Sequence, residues 1–298
     1  MRKILIKLTP YLVAFIVINF IFYKTSGFYK QERKYIERIE SAINAKSEVV
    51  FLGDSHVETI KRLDLSENIG NLAFGADGIN EMYVKALTML KYNENLKYVF
   101  IATEPQIFNS SLSSNSTFLN KYLLKINDSL NVYNKSKLNL ITERIPLSND
   151  SYLKFVLNKI YLNFKLDMGS DDREWAKLTD SERIEIASKT GKLDHSAIMK
   201  NKDYLETFKT LVRICKSNNI TVIGVRFPVS KDYIEQCKRE DIIKVDNFIK
   251  DLNLDMHLDY SNRIIDPEYF DDEDHLNKEG MEKLSDIIFK ETNIKITN

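Results

Sequence analysis

Four short apolar runs, each followed closely by a glycine or a proline, constrain the fold of this 298-residue chain more than any other feature. Val49–Leu52 ends at Gly53, the run from Ile69 to Phe74 at Gly75, and the run from Thr221 to Phe227 at Pro228; the run from Tyr98 to Thr103 stops just before Pro105. Short β-branched runs without polar alternation read as strands buried on both faces. A weaker fifth run covers Leu254 to Leu258. Between them lie patterns of helical period: Ile79 to Leu90, Tyr204 to Lys216, Tyr233 to Leu252 and Lys278 to Phe289. Strand alternating with helix predicts a three-layer α/β/α domain with a mainly parallel sheet, joined by right-handed crossovers.

One interval breaks the rhythm. Residues 106–200 carry little strand signal and hold helical patches at Tyr152 to Leu166 and Ser181 to Lys189. A structureless loop of that length would be unusual, so the interval reads as a helical insert within a domain covering 48–298. Ahead of the domain, residues 28–46 show a narrow stripe of Tyr35, Ile36, Ile39 and Ile43, expected as a linker helix over 28–47.

The start of the chain is apolar on all faces. Arg2, Lys3 and Lys7 precede an uncharged run from Leu8 to Tyr23. Counted from Ile4, it reaches about the 20 residues a spanning helix needs. Residues 1–27 are therefore expected to be an uncleaved anchor that crosses the bilayer once through residues 4–23. The basic start favours a cytoplasmic N-terminus and an extracytoplasmic C-terminal domain at the cell membrane. Lys24, Lys30, Arg33 and Lys34 pull the other way. A removed signal peptide and a buried helix of a soluble protein are the alternatives.

Composition excludes several classes. Lysine plus arginine and aspartate plus glutamate both number 43, so no basic excess points to nucleic acid. The only cysteines, Cys215 and Cys237, form no C-x-x-C pair. They read as separate thiols or, outside the cytoplasm, as a disulfide. No metal site and no cofactor is implied: no P-loop, G-x-G-x-x-G, H-E-x-x-H or Asp-x-Asp-x-Asp-Gly loop occurs.

In open parallel sheets, ligands bind outside the carboxyl ends of the strands. The first strand ends in Gly53-Asp54-Ser55-His56. A serine hydroxyl is a weak nucleophile until a histidine takes its proton and a carboxylate orients that histidine. Near the C-terminus, Asp272 and His275 stand three apart within Asp272-Glu273-Asp274-His275-Leu276-Asn277. One helix-like turn puts both on one side. After the second strand, the N–H of Gly75 can help hold an oxyanion. Each piece alone also has a plain reading: a helix cap at Asp54 and Ser55, an acidic helix start at Asp272, a strand-to-helix turn at Gly75. His56 could touch substrate or lie on the surface. Arg226, at the end of the fourth strand, could bind an anion or sit in an edge salt bridge.

Taken together, G-D-S-H, the following glycine and D-x-x-H-L-N-x-x-G resemble the SGNH, or GDSL-like, hydrolase superfamily over residues 48–104 and 220–290. The resemblance implies Ser55 as nucleophile, His275 as base and Asp272 as its orienter, with the N–H groups of Ser55 and Gly75 as oxyanion donors. The superfamily places an asparagine after the third strand; here the position holds Glu104, in Thr103-Glu104-Pro105-Gln106-Ile107-Phe108. An ionised carboxylate cannot donate a hydrogen bond. The Pro-Gln-x-Phe ending and the anchor resemble the membrane-anchored branch, which includes the D-alanyl transfer protein of teichoic acid modification and proteins of alginate O-acetylation. That likeness makes Gln106 the better polar contact. It implies O-acyl transfer from an acyl donor to a surface glycan, beside a membrane-bound O-acyltransferase. Ester cleavage by the same triad, or a non-catalytic partner of that acyltransferase, remain open.

Overall fold

The computed structural model describes residues 2–111, 116–123, 126, 136–165, 174–194 and 198–298. Its principal helices are α1 (Arg2–Thr25), α2 (Gly27–Asn44), α3 (Ser55–Glu58), α4 (Ile79–Tyr92), α5 (Lys137–Thr142), α6 (Asp150–Lys165), α7 (Asp180–Asp194), α8 (Lys202–Ser217), α9 (Arg239–Asp251) and α10 (Lys278–Thr292). The strands are β1 (Val49–Leu52), β2 (Ile69–Asn71), β3 (Tyr98–Ala102), β4 (Thr221–Arg226) and β5 (Met256–Asp259). Two compact units emerge: Met1–Glu37 with Thr117–Asp171, and Arg38–Ser116 with Asp172–Asn298.

The second unit holds one sheet of order β2-β1-β3-β4-β5, parallel throughout. Val50 pairs with Gly70 on one side and Val99 on the other, and Phe100 with Ile223. Phe51 and Phe100 stack with ring centroids 4.4 Å apart. The four residues of β1 are buried, as an uninterrupted apolar run requires. By contrast, β5 is an edge strand in which only Leu258 is buried, which explains its weak signal.

Some boundaries differ from expectation. β2 pairs with β1 as a strand only to Asn71; beyond it the Leu72 N–H still donates to the Phe51 carbonyl at 3.0 Å and the Phe74 N–H to the Gly53 carbonyl at 3.3 Å, while Asn71 Oδ1 accepts from the Ala73 N–H at 3.0 Å. The helix expected from Tyr233 to Leu252 is two: a turn at Lys231–Ile234, capped by Ser230, and α9. Within the 106–200 interval, α6, α7 and shorter turns match the helical reading; Leu166 and 195–197 lie outside the described residues.

In the first unit, Lys7–Thr25 is long and apolar enough to cross a membrane, with 6% of that stretch buried. α5 and α6 belong to the same unit. Phe28, Tyr29, Phe118 and Tyr152 build its aromatic core.

Candidate active site

The strand order sends the chain from β1 to one side and from β3 to the other. The crevice outside their carboxyl ends is the switch point where open sheets bind ligands. Gly53 ends β1 because any side chain there would collide with Val57 and Ala102. Asp54 then caps α3, its carboxylate accepting from the His56 N–H at 3.0 Å. Ser55 is thereby the first residue of α3, half-buried, on the wall of a cavity of about 220 Å³. Asp54, His56, Asp77, Gln106, Asn109 and Asp274 line the same cavity.

The C-terminal loop supplies the histidine. Asp272 Oδ1 accepts from the backbone N–H groups of Asp274 at 3.2 Å and His275 at 2.8 Å, which folds the loop around the carboxylate. The same carboxylate faces His275 Nδ1 at 2.9 and 3.0 Å. Leu276 is buried and Asn277 caps α10, accepting from the Gly280 N–H at 3.0 Å. Gly280 is obligatory: a Cβ there would overlap the Tyr269 carbonyl. Each residue of the D-x-x-H-L-N-x-x-G string thus has a local task.

His275 Nε2 is buried and has no hydrogen-bond partner. Among the described residues the Ser55 hydroxyl has none either, while Asp272 and His275 lie within hydrogen-bond distance of each other. Catalytic hydrogen bonds of this kind often tighten only when substrate binds.

Two residues exceed what their sequence context conveyed. His56 is buried, with Nε2 3.1 Å from Asp274 Oδ2 and Nδ1 3.1 Å from the Gln106 amide. Asp274 is shared: its other oxygen lies 2.8 Å from His275 Nδ1, and the two rings meet edge to face at 5.0 Å. Both His56 nitrogens are therefore committed, whereas His275 keeps Nε2 for a proton. Each of His56, Asp274 and His275 also offers one ligand atom within 4.8 Å of the others. Here Asp274 faces one nitrogen of each ring.

Electrostatics follow from this geometry. Burial opposes a charged ring at His275, but its hydrogen bonds to the Asp272 and Asp274 carboxylates outweigh it and hold the imidazole up at about 11. At His56 burial again opposes, and the charges of Asp54 and Asp274 raise it to about 9. Burial acts upward on Asp274 too, yet the flanking imidazoles keep it well below the usual carboxylate range. A base must be neutral to act, so activity is expected to climb as pH rises toward the His275 value. Asp274→Asn removes one of two carboxylates and should lower that limb of kcat/KM by about 1–3 pH units. A pH–rate profile that stays in place, or moves up, rejects the role given to Asp274.

Three expected site residues have other engagements. The Gly75 N–H donates to Glu58 Oε2 at 2.7 Å, and Glu58 is itself held by Arg38 and Lys61. Gly75 is thus not poised as an oxyanion donor. Arg226 is buried and ion-paired with Asp246 at 2.7 Å and Asp259 at 2.9 Å, the edge salt bridge rather than the anion site. Glu104 is buried, one oxygen accepting from the Phe227 N–H at 2.9 Å and the other unpartnered. Burial and the nearby Asp54 charge raise it to about 7, so near neutral pH much of it is a carboxylic acid able to donate. Glu104 and Arg226 line a second cavity of about 280 Å³ with Phe227 and Tyr233, and Gln106 lines both cavities. Cys215 and Cys237 are free thiols.

The backbone N–H of Ser55 has no partner among the described residues, the Gln106 amide faces His56 Nδ1 at 3.1 Å, and Asn109 lines the same cavity. Asn109 went unnoticed in the sequence, although it directly follows the Pro-Gln-Ile-Phe turn.

No family model matches the chain, and no curated protein does. Among solved structures, it overlaps a protein of Bacteroides fragilis assigned as an acylhydrolase, with TM-score 0.37 and 13% identity over 82% of this chain and 86% of the other. A GDSL-like lipase of Bacteroides thetaiotaomicron gives TM-score 0.37 and 8% identity over 88% and 98%. Overlaps at this level carry no chemistry over to this chain.

Proposed function

We propose that this chain is a membrane-anchored serine acyl-transfer enzyme of the outer cell surface. The observation that carries the reading is the Asp272–His275 pair, whose far nitrogen is buried and unpartnered, in a loop joined through Asp274 and His56 to the turn bearing Ser55.

In this mechanism His275 Nε2 takes the Ser55 proton as the serine oxygen attacks the acyl carbon of a donor ester. The Ser55 N–H and, on leaving His56, the Gln106 amide supply donors for the oxyanion. The C–O bond to the donor alcohol breaks, and that alcohol leaves with the proton from His275. An acceptor hydroxyl then gives its proton to His275 and attacks the Ser55 ester; the serine oxygen departs and recovers the proton. Water in place of the acceptor makes the same site an esterase. Gln106 lines both cavities, which suits a donor and an acceptor bound on either side of it. The acceptor we assign is a hydroxyl of a cell-envelope glycan, with a membrane-bound O-acyltransferase as the source of acyl groups.

A fluorophosphonate applied to the full chain in detergent should label one serine, on the peptide carrying Ser55. His275→Ala should abolish labelling. A folded protein that stays unlabelled rejects the catalytic reading and favours a binding role. If labelling occurs, the ratio of transesterified to hydrolysed product with a polyol acceptor separates transferase from esterase.

A further inference from the structure

The first unit carries a surface that an anchor alone does not explain. Asn19 sits within the candidate span, six residues before its end at Thr25, or about 9 Å at 1.5 Å per residue. It is buried, and its side-chain oxygen accepts the backbone N–H of Leu147 at 3.0 Å. The turn Pro146–Ser148 between α5 and α6 therefore reaches down beside α1, well below the point where α1 ends.

The helices on either side of that turn expose apolar side chains. Leu138 is 69% exposed and Ile141 52%; they stand three apart on α5 and share a face. On α6, Leu153 and Leu157 stand four apart and are 37% and 63% exposed. Leu147 itself is 37% exposed. Around the exit of α1, Tyr23 packs on Tyr29, and Phe28 on Tyr152 and Phe155. Of these rings Tyr23 is exposed, where a membrane meets water and aromatic side chains are enriched, whereas Phe28, Tyr29 and Tyr152 are buried in the unit's core. Arg33 covers the Tyr23 ring at 5.6 Å and donates to its carbonyl, the placement of a basic side chain reaching toward headgroups.

We propose that α5, the 146–148 turn and the start of α6 lie in the interface of the same bilayer that α1 crosses, covering Leu138, Ile141, Leu147, Leu153 and Leu157 with lipid. The occupant is the lipid surface, because the exposed apolar side chains flank a turn that is bonded to α1 within its candidate span, and that turn reaches the depth at which interfacial helices settle, about 5–10 Å. The unit is then monotopic as well as anchored. This rests on α1 being a span, and the test separates the two claims.

The full chain is reconstituted in phosphatidylcholine–phosphatidylglycerol vesicles containing lipids brominated at defined acyl positions. Tryptophan is introduced singly as Leu138→Trp, Leu157→Trp, Val13→Trp in α1 and Phe289→Trp in α10. Trp175 is buried and gives a constant background, measured in the unsubstituted chain. Leu138→Trp and Leu157→Trp should lose most of their added emission to shallow bromines, and Val13→Trp to deep ones. Phe289→Trp should keep its emission. Quenching of Val13→Trp alone overturns the docking and leaves the span intact. No quenching at Val13 overturns both. Equal quenching at Phe289 marks non-specific adsorption and overturns the docking. Leu153→Trp replaces either α5 or α6 variant should circular dichroism show that one unfolded.

Discussion

Ser55→Ala is expected to lower kcat for an activated acetyl ester by a factor on the order of 10⁵–10⁶, with the unfolding midpoint unchanged. The factor is what removal of a nucleophile costs when it acts as a unit with its base. The neutral stability follows from the structure: the Ser55 hydroxyl has no partner among the described residues, and Asp54 rather than Ser55 caps α3. His275→Ala should fall nearly as far, and the double variant no further, because the second loss finds nothing left to remove. Steady-state kinetics on the purified full chain decide it. Retention of more than a hundredth of the turnover by Ser55→Ala would remove that hydroxyl from the mechanism, whatever His275 does.

Lys85→Met should have the largest effect on stability, about 3–5 kcal/mol. Lys85 and Asp77 form an ion pair with side-chain exposures of 1% and 0%. The ammonium also donates to the Leu72 carbonyl, tying α4 to the end of β2. Burial pulls the Lys85 pKa below its ordinary value, with Asp77 pulling back. Methionine fills the space but strips Asp77 of its cation, and a buried carboxylate without one is the costly state. At about 2–4 °C per kcal/mol, the melting temperature should drop by about 10 °C. Adding Asp77→Asn should restore much of the loss by removing the stranded charge. A drop of less than about 1 kcal/mol in Lys85→Met would mean water or another group neutralises Asp77, contrary to its burial. Because Asp77 also lines the Ser55 cavity, activity should fall with stability in the single variant.

How much of this was legible in the sequence depended on the range of the interactions involved. β1, β3 and β4 were readable because burial on both faces removes every polar residue from a short run. The Asp272–His275 pair was readable because its partners are three residues apart. Other features depend on residues far from one another. His56 looks like a surface residue beside a turn, and only the approach of Asp274, 218 positions away, makes it an interior group. Gly75 looked available until Glu58 proved to be its acceptor. Arg226 owes its fate to Asp246 on α9 and Asp259 on β5, which no local pattern joins to it. Glu104 was readable as a departure, but not its raised pKa, which follows from burial and the nearby Asp54 charge.

One carboxylate serving two imidazoles has a kinetic consequence. Asp274 gives up part of its hold on either ring whenever the other changes charge, so neither histidine titrates as an independent group. Proton release from the ensemble should follow macroscopic steps that belong to the trio. A substrate that disturbs His56, on the cavity wall, would thereby retune the basicity of His275 without touching it.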